Sequence, residues 1–258
     1  MPSLRRFRAD LHIHTGLSPC GSEEMTPAAI IAAAKELGLD MIAVCDHNSA
    51  GNVAAVQEAN RHADSTLTVL AGIEVTSMEE VHVVGLFPGA AAAARVADRL
   101  RDLLPQAEGD YYSYFGHQLL LDANGDQVGS ETAALAFATP LDLTDTVRLV
   151  HDEGGLAVAA HVDRRSFSVF SQLGFFPADA GFDAIELSLR RRTEPSRAAE
   201  FARLGLPMVA SSDSHYLDEI GRAFTDVYAL EPTFEELALA FASEEGRSVT
   251  PVWRDTDA

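Results

Sequence analysis

Positive charge and cysteine are both scarce in this chain. Its 258 residues contain 19 Lys and Arg against 39 Asp and Glu, which gives a formal net charge of −20. An acidic surface repels the phosphate backbone of nucleic acids unless positive charge is concentrated locally or metal ions supply it, and we expect no long nucleic acid among its partners. Cys20 and Cys45 are the only cysteines, too few for a disulfide framework.

Long apolar runs are missing as well. No stretch approaches the roughly 18 to 20 apolar residues that a membrane-spanning helix needs. The first fourteen residues carry charge at Arg5, Arg6 and Arg8 but no apolar segment long enough for a signal peptide. We therefore expect a cytoplasmic protein without a membrane partner. The 47% hydrophobic content is enough for a large core, and we expect one domain, 1–258.

Short apolar segments alternate with helical ones along most of the chain. The first helix is the most clearly marked, because Thr26 can cap it, Pro27 suits its first turn and Gly38 suits its end. Repeated strand and helix predict a parallel sheet. After a first strand ending near residue 14, the predicted strands are 40–45, 67–71, 81–87, 156–160, 182–187, 207–211 and 225–230. The other predicted helices are 52–63, 90–104, 142–153, 195–204 and 233–244.

Residues 105–131 interrupt this alternation. They are rich in Tyr, Gly, Asp and Gln, and Asn124-Gly125 is a strong hairpin-turn signal. We interpret the segment as an insertion over one end of the fold. It would act either as an active-site lid or as an ordinary surface excursion.

Imidazole and carboxylate groups recur where the predicted strands end. In DLHIHT at 10–15, Asp10, His12 and His14 alternate along a strand, which predicts that they face the same side. Related motifs follow as CDHN (45–48), GIEV (72–75), AAHVDR (160–165) and SSDSHY (211–216). Since the carboxyl ends of parallel strands carry the site in α/β folds, we expect all these groups on one rim.

Such a concentration of acid and imidazole indicates bound metal. Without a cation, many carboxylates and imidazoles in one mouth would leave uncompensated charge and unsatisfied polar groups. The mixture of nitrogen and oxygen ligands suits Zn²⁺, Mn²⁺ or Fe²⁺ better than Mg²⁺ or Ca²⁺.

In this order and spacing, the motifs DLHIHT, DH, E, H, AH and DSH resemble those of the polymerase and histidinol phosphatase (PHP) superfamily of metal-dependent phosphoesterases. The likeness runs from Asp10 to about Val249. It implies an α/β fold, a distorted (β/α)7 barrel with the 105–131 insertion over its mouth. It also implies two or three divalent metal ions (Zn, Mn or Fe) and hydrolysis of a small phosphorylated substrate, a phosphomonoester or nucleotide, through a metal-activated water.

The resemblance further implies a set of metal ligands. The first site would be held by His12, His14, Glu74 and Asp213. Glu74 would also bridge to the second site, which His161 and one more His would complete. A third site would use His47 and His215.

The additional His of the second site has two candidates. His82 lies eight residues after Glu74 and matches the HxxGL pattern of the family. His117 lies in the insertion and is an alternative contact to metal or substrate. We favour His82.

The third site is where this chain departs from the usual pattern. Many family members place a carboxylate or a His five or six residues after the second His of the opening motif, but here the chain reads SPCG. Cys20 is therefore a candidate thiolate ligand, which would favour Zn²⁺ or Fe²⁺. The alternative is a small buried loop residue, with Glu23 or Glu24 supplying oxygen instead.

Phosphoryl transfer also needs cationic groups and a proton path. Arg164 and Arg165 are candidate catalytic phosphate clamps, although a salt-bridged surface turn would have the same sequence. Asp46 is a candidate catalytic residue, either orienting a ligand His or transferring a proton. A second phosphate could bind at Arg190 and Arg191, or that cluster could be a solvated face.

Two kinds of function remain open at this point. One is a phosphoesterase, with histidinol phosphate, a nucleotide or the end of a short oligonucleotide as possible substrates. The other is a regulatory domain that binds metal without turnover. An enzyme differs in needing an open coordination position and an accessible cleft.

Overall fold

The computed structural model describes residues 3–189 and 195–254, without the side chains of 195–198. The strands are β1 (Arg5–Ile13), β2 (Met41–Val44), β3 (Thr68–Thr76), β4 (His82–Phe87), β5 (Leu119–Leu121), β6 (Gln127–Ser130), β7 (Leu156–Ala159), β8 (Ala184–Leu187), β9 (Met208–Ala210), β10 (Ala223–Ala229) and β11 (Ser248–Trp253). The helices are α1 (Pro27–Glu36), α2 (Val53–His62), α3 (Ala90–Leu103), α4 (Tyr111–Phe115), α5 (Leu143–Asp152), α6 (Val169–Leu173), α7 (Pro195–Ala202) and α8 (Phe234–Phe241). Within these ranges, no helix is long and apolar enough to cross a membrane.

Nine strands form one sheet that curls into a nearly closed barrel. Their order is β11-β10-β1-β2-β3-β4-β7-β8-β9, and β5 and β6 pair separately. The two ends of the sheet meet through side chains: Ala210 N donates to Thr225 Oγ1 at 3.0 Å, and Trp253 Nε1 donates to Ser188 O at 3.2 Å. The barrel that the family resemblance implied is confirmed.

The direction of β4 differs from the sequence prediction of a parallel sheet. β4 is antiparallel to both β3 and β7, and β10 and β11 are antiparallel to their neighbours. Residues 77–81 are too few for the crossover that a parallel partner of β3 would require, so the chain turns back directly. As a result the first residue of β4, His82, pairs with Thr76 at the end of β3. His82 thereby reaches the same rim as the ends of the parallel strands.

The core consists of two main apolar clusters, one on each face of the barrel sheet. The outer cluster lies between the sheet and the helices and includes Ile30 of α1 and Val147 of α5. The inner cluster fills the barrel and includes Leu11, Val158 and Leu237. Apolar strand residues thus cover both faces, as expected for strands buried on two sides.

The insertion predicted at 105–131 contains α4 and the β5–β6 hairpin, with its turn at Asn124-Gly125. It is fixed to the loops that follow β1 and β2. Leu119 N donates to Gly16 O at 2.9 Å, and Asn52 Nδ2 donates to Leu119 O at 2.9 Å. The insertion therefore lies at the barrel mouth.

Candidate metal centre

A bulge in β1 directs two histidines into the barrel. The pairing of β1 with β2 shifts register near the end of the strand. Before the shift, Ala9 and Leu11 belong to the inner cluster, whereas Ile13 packs in the outer one. A bulge places an extra residue on one side of the strand, so His12 and His14 face inward after Leu11.

The same bulge separates Asp10 from these histidines. Its carboxylate accepts hydrogen bonds from Ser212 N at 3.0 Å and Gly221 N at 2.8 Å. The prediction that Asp10 lies on the same face as His12 and His14 is therefore wrong. Asp10 anchors the loop that carries Asp213.

Five imidazoles surround the buried carboxylate of Glu74. The nitrogens nearest its Oε1 are His82 Nδ1 at 2.8 Å, His161 Nε2 at 3.1 Å and His12 Nε2 at 3.5 Å. Those nearest its Oε2 are His47 Nδ1 at 2.9 Å and His14 Nε2 at 3.4 Å. Glu74 lies inside β3, at the point where it can reach residues from four other segments of the chain.

Asp213 completes the group assigned to the first site. Its Oδ1 lies 3.1 Å from His14 Nε2 and 3.6 Å from His12 Nε2. The possible ligand atoms of His12, His14, Glu74 and Asp213 all lie within 4.8 Å of one another. The structure thus brings together the four residues that the family resemblance implied for one metal.

Two further groups share residues with the first. One contains His47, Glu74 and His82, and the other contains His14, His47 and His215. His47, which the resemblance implied for the third site, lies in both. His161 contacts Glu74 from the side of β7.

His117 lies apart from these groups. It is exposed, and its ring stacks on Tyr112 with a centroid separation of 6.0 Å. Of the two candidates for the second site, the structure therefore places His82 at Glu74 and His117 at an exposed position of the insertion.

Hydrogen bonds orient the two histidines of β1. His12 Nδ1 lies 3.1 and 3.2 Å from the carboxylate oxygens of Glu186, to which it donates. His14 Nδ1 donates to Ser18 Oγ at 2.8 Å, because the Ser18 hydroxyl gives its own proton to Asp46 at 2.6 Å. In both rings Nε2 is left facing the cluster, the arrangement that supporting carboxylates give to metal-bound histidines.

Sequence reasoning did not identify Glu186 or Ser18. Glu186 is buried in the strand segment AIEL, and its Oε2 also accepts a hydrogen bond from His161 N at 3.0 Å. The sequence did contain a signal for Glu186. It is a charged residue two positions after the inward-facing Ala184, and so lies on the same side of a short apolar strand.

Asp46 acts through Ser18, away from the open part of the site. Thr15 N and Thr15 Oγ1 donate to its two oxygens at 2.7 and 2.8 Å, and the side chain is fully buried. Burial raises the pKa of this carboxyl, which the hydrogen bonds partly offset. Its position favours the orienting role over proton transfer to a substrate.

Burial and charge act in opposite directions on the pKa of His12. Burial alone lowers it, but the carboxylates of Glu186, Glu74 and Asp213 raise it well above its usual value. For Glu74 and Asp213, burial raises the pKa and the surrounding imidazoles lower it well below the usual range. The carboxylates thus stay charged, and binding of a divalent cation would displace imidazole protons.

Three observations fit a bound cation. His161 Nδ1 is buried without a hydrogen-bond partner in the described part of the chain, and Glu74 Oε2 has none with hydrogen-bond geometry, although His47 Nδ1 lies 2.9 Å from it. His12 Nε2 and His14 Nε2 lie 3.1 Å apart, a contact that needs a proton or a metal ion between two lone pairs. The donors are imidazole nitrogen and carboxylate oxygen, which suit Zn²⁺, Mn²⁺ and Fe²⁺.

Cys20 lies beside the third group. Cys20 is exposed and so is not the small buried loop residue of the alternative prediction. Partial burial of the thiol raises its pKa, but His47 and His215 lower it to about 6. Glu23 and Glu24, the oxygen alternatives, are exposed and do not line the cavity described below. Cys45, in contrast, is completely buried in the inner cluster.

If Cys20 binds metal, Co²⁺-loaded protein should show the near-ultraviolet absorption of thiolate-to-metal charge transfer. We expect Cys20→Ser to lose this absorption, because the serine oxygen does not replace a thiolate as a soft ligand. The matched control is Cys45→Ala, which removes the other thiol and should keep the band. An unchanged spectrum in the Cys20 variant would exclude it as a ligand.

A cavity of about 360 Å³ opens directly on the cluster and is lined in part by Glu74, His82 and Asp213. Arg164 also lines it and forms an ion pair with Asp213 through Nη1. Arg165 is exposed and is not among the lining residues. Arg190 and Arg191, the candidates for a second phosphate, lie outside the described residues.

Comparison with known proteins identifies several relatives. YqxK, an uncharacterized protein of Bacillus subtilis (strain 168), is 24% identical over 276 residues, which cover 95% of this chain and 64% of YqxK. The 5'-3' exoribonuclease Rnm of Escherichia coli (strain K12) is 31% identical over 81 residues, 30% of this chain and 26% of Rnm. The chain thus spans less than two thirds of the length of either protein.

The fold is similar to that of endonuclease Q. The lesion-specific enzyme from Pyrococcus furiosus has a TM-score of 0.70 at 20% identity over 97% of this chain and 60% of its own. A complex of endonuclease Q with a 27-mer duplex substrate, with an abasic lesion at the active site, has a TM-score of 0.63 at 18% identity over 95% of this chain and 58% of its own.

The expectation that long nucleic acid is excluded is wrong, because endonuclease Q has this fold and holds a 27-mer duplex. The error came from the net charge of −20. Net charge averages the whole surface, whereas binding of a phosphate backbone depends on the local field at the cleft, to which Arg164 and any bound cations contribute.

Family models match both parts of the chain. The model of the PHP domain matches residues 10–161, more than half of the sequence, and the PHP-associated model matches residues 194–247. The first match includes seven of the residues that surround or adjoin the cluster: His12, His14, Cys20, His47, Glu74, His82 and His161. The chain therefore belongs to the PHP family.

Proposed function

We propose that this chain is a metal-dependent phosphoesterase that hydrolyses a small phosphomonoester or a nucleotide. One observation carries the proposal. The four-residue group around Glu74 and Asp213 opens into a cavity that also contains the guanidinium of Arg164. A phosphate ester in that cavity would meet the metal ligands and, beside Asp213, the cationic guanidinium of Arg164.

Bound metal ions would supply an activated water and neutralise charge on the phosphate oxygens. The proposed ligands are His12, His14, Glu74, His161 and Asp213 with His82, His47, His215 and Cys20. Glu186 and Asp46 hold the rings of His12 and His14, the latter through Ser18. Arg164 would bind a phosphate oxygen with the nitrogens that Asp213 does not engage, since guanidinium offers five N–H donors.

The names of the relatives support hydrolysis of phosphate esters but do not identify the substrate. Rnm is a 5'-3' exoribonuclease and endonuclease Q is a lesion-specific endonuclease. Both names denote cleavage of phosphodiesters. We therefore keep phosphomonoesters and nucleotide ends together as candidate substrates, with histidinol phosphate as a narrower possibility within the first class.

A regulatory metal-binding domain is the competing function. A purely structural metal site is closed, whereas a catalytic one keeps an open position and an entry path. The cavity beside Glu74, His82 and Asp213 provides that entry path. This favours the enzyme.

The test is a panel of phosphoesters assayed with Mn²⁺, Zn²⁺ or Fe²⁺. It should contain an aryl phosphate, histidinol phosphate, nucleoside monophosphates and short oligonucleotides. We expect hydrolysis of at least one class, and we expect His12→Ala to reduce kcat/KM more than about 100-fold, beyond the effect of losing an outer-shell partner. The matched control is His62→Ala, a change at an exposed histidine on α2.

Fully metal-loaded protein that hydrolyses no ester of the panel would contradict the enzyme and favour the regulatory domain. Equal activity of wild type and the His12 variant would contradict the assignment of the site.

Two wider proposals accompany this function. We propose that residues 1–258 act as one catalytic domain, and that the protein works in the cytoplasm. Cys20 and Cys45 are both free thiols, which suits a reducing compartment.

A further inference from the structure

A second cavity continues from the metal cluster toward the insertion. Its volume is about 340 Å³, and it shares four lining residues with the first cavity: Cys20, His47, His82 and Phe167. The wall away from the metals includes Tyr114 and Phe115 of α4. The two cavities therefore form one cleft, polar at the metals and aromatic at the insertion.

Phe167 is held in this cleft by its backbone. Its φ of 56° lies in the left-handed region, which is unfavourable for a large side chain and is concentrated at functional sites. The ring stacks on His82 with a centroid separation of 4.7 Å and an interplanar angle of 22°. His82 N donates to Phe167 O at 2.9 Å. One face of a fixed aromatic ring is thus left at the cavity, with 41% of the residue exposed.

Two further lining residues of the second cavity are also aromatic and exposed. Tyr114 is 79% exposed and Phe115 39% exposed. Phe115 is fixed by packing on Tyr111 and Phe137, with centroid separations of 4.9 and 5.6 Å. Large apolar groups left open beside a ligand site indicate a surface that a ligand covers.

We propose that Tyr114, Phe115 and Phe167, here called the aromatic cleft, stack the base of a nucleotide whose phosphate lies at the metal cluster. This inference rests on the proposed phosphoesterase function and names the substrate class. The nucleotide is either free or an unpaired residue of a longer strand. Stacking on aromatic rings accepts any base, since each base has a π-face.

The composition of the aromatic cleft selects a base over other occupants. Its lining residues include no Lys or Arg, so a second phosphate would find no cationic partner there. A ring bonded directly to the phosphate would stay in the first cavity. A base is separated from its phosphate by a sugar and so reaches the adjoining one.

Non-hydrolysable phosphonate analogues of AMP and ribose 5-phosphate test this inference independently of turnover. They differ only in the base, and their dissociation constants for the metal-loaded protein can be measured by calorimetry. We expect the AMP analogue to bind roughly five- to hundredfold more tightly, the range of one base stacked on an aromatic side chain.

Variants then locate the effect. Phe167→Gly removes the ring and suits the left-handed backbone, and Tyr114→Ala changes a largely exposed residue, so both should fold. Each should bring the ratio of the two dissociation constants closer to one. Phe175→Ala is the matched control, since Phe175 is 61% exposed and lines neither cavity. It should leave the ratio unchanged.

Equal binding of the two analogues to wild type, or a ratio unaffected by both variants, would overturn the inference. Neither result bears on the phosphoester panel, which tests the proposed function alone. A base preference in a protein that hydrolyses no ester would support the aromatic cleft and contradict the phosphoesterase.

Discussion

Glu74→Gln should remove most of the bound metal and lower phosphoester hydrolysis more than about 100-fold. Five imidazole nitrogens lie within 3.5 Å of this carboxylate, and it belongs to two of the three possible metal groups. The amide has the same shape but carries no charge and offers one acceptor oxygen in place of two. The measurement is metal content per chain together with kcat/KM.

Glu58→Gln is the matched control, because Glu58 forms exposed ion pairs on α2 with Arg61 and His62. Exposed pairs contribute little to stability, so metal content and activity should stay at the wild-type level. Retention of full metal content by the Glu74 variant would show that the carboxylate does not bridge metals.

Glu186→Gln should weaken metal binding about 10- to 100-fold, the usual effect of losing the carboxylate behind a ligand histidine. Glu186 accepts from His12 Nδ1 and from His161 N, so it holds two proposed ligands at once. The readout is the metal dissociation constant, determined by competition with a chelator. The melting temperature of the metal-free protein shows separately whether the variant still folds.

Glu131→Gln is the control for this second change. Glu131 is also buried, but it pairs with Arg101 at the edge of the insertion. Its replacement can lower stability and should leave the metal dissociation constant unchanged. If both variants changed metal affinity equally, the effect of Glu186 would be general destabilisation.

The sequence was sufficient for most of the elements and for the centre of the site, but α6 and β11 were not predicted. Apolar runs and helix signals located the strands and helices to within a few residues in most cases, and the first helix begins at Pro27 after the Thr26 cap as expected. His12, His14, Glu74 and Asp213 could be grouped because motif order within a family implies a common geometry. Their contact in the structure agrees with that grouping.

The pattern of apolar and polar residues did not predict the local geometry of the strands. Regular alternation grouped Asp10 with His12, but the bulge of β1 changes which side of the strand faces inward. The apolar run at 81–87 has no direction of its own, so the antiparallel course of β4 follows only from the short connection that precedes it. Glu186 lies in a short strand, where a single charged letter carries no periodic signal.

The prediction that failed most clearly, the exclusion of long nucleic acid, was based on net charge. A net charge of −20 describes the surface as a whole, and it excluded a class of substrate that a protein of similar fold binds. The cleft itself joins Arg164, a cluster suited to cations and an aromatic wall. We propose that those residues decide which substrate is recognised.

Metal titration of chelator-treated protein tests the central claim most directly. Hydrolysis of an ester from the panel should be absent without metal and should rise in step with added Mn²⁺, Zn²⁺ or Fe²⁺, reaching its maximum at two or three equivalents per chain. His12→Ala should give no such rise. Hydrolysis that is independent of metal, or a fully loaded protein that hydrolyses no ester of the panel, would contradict the proposed function.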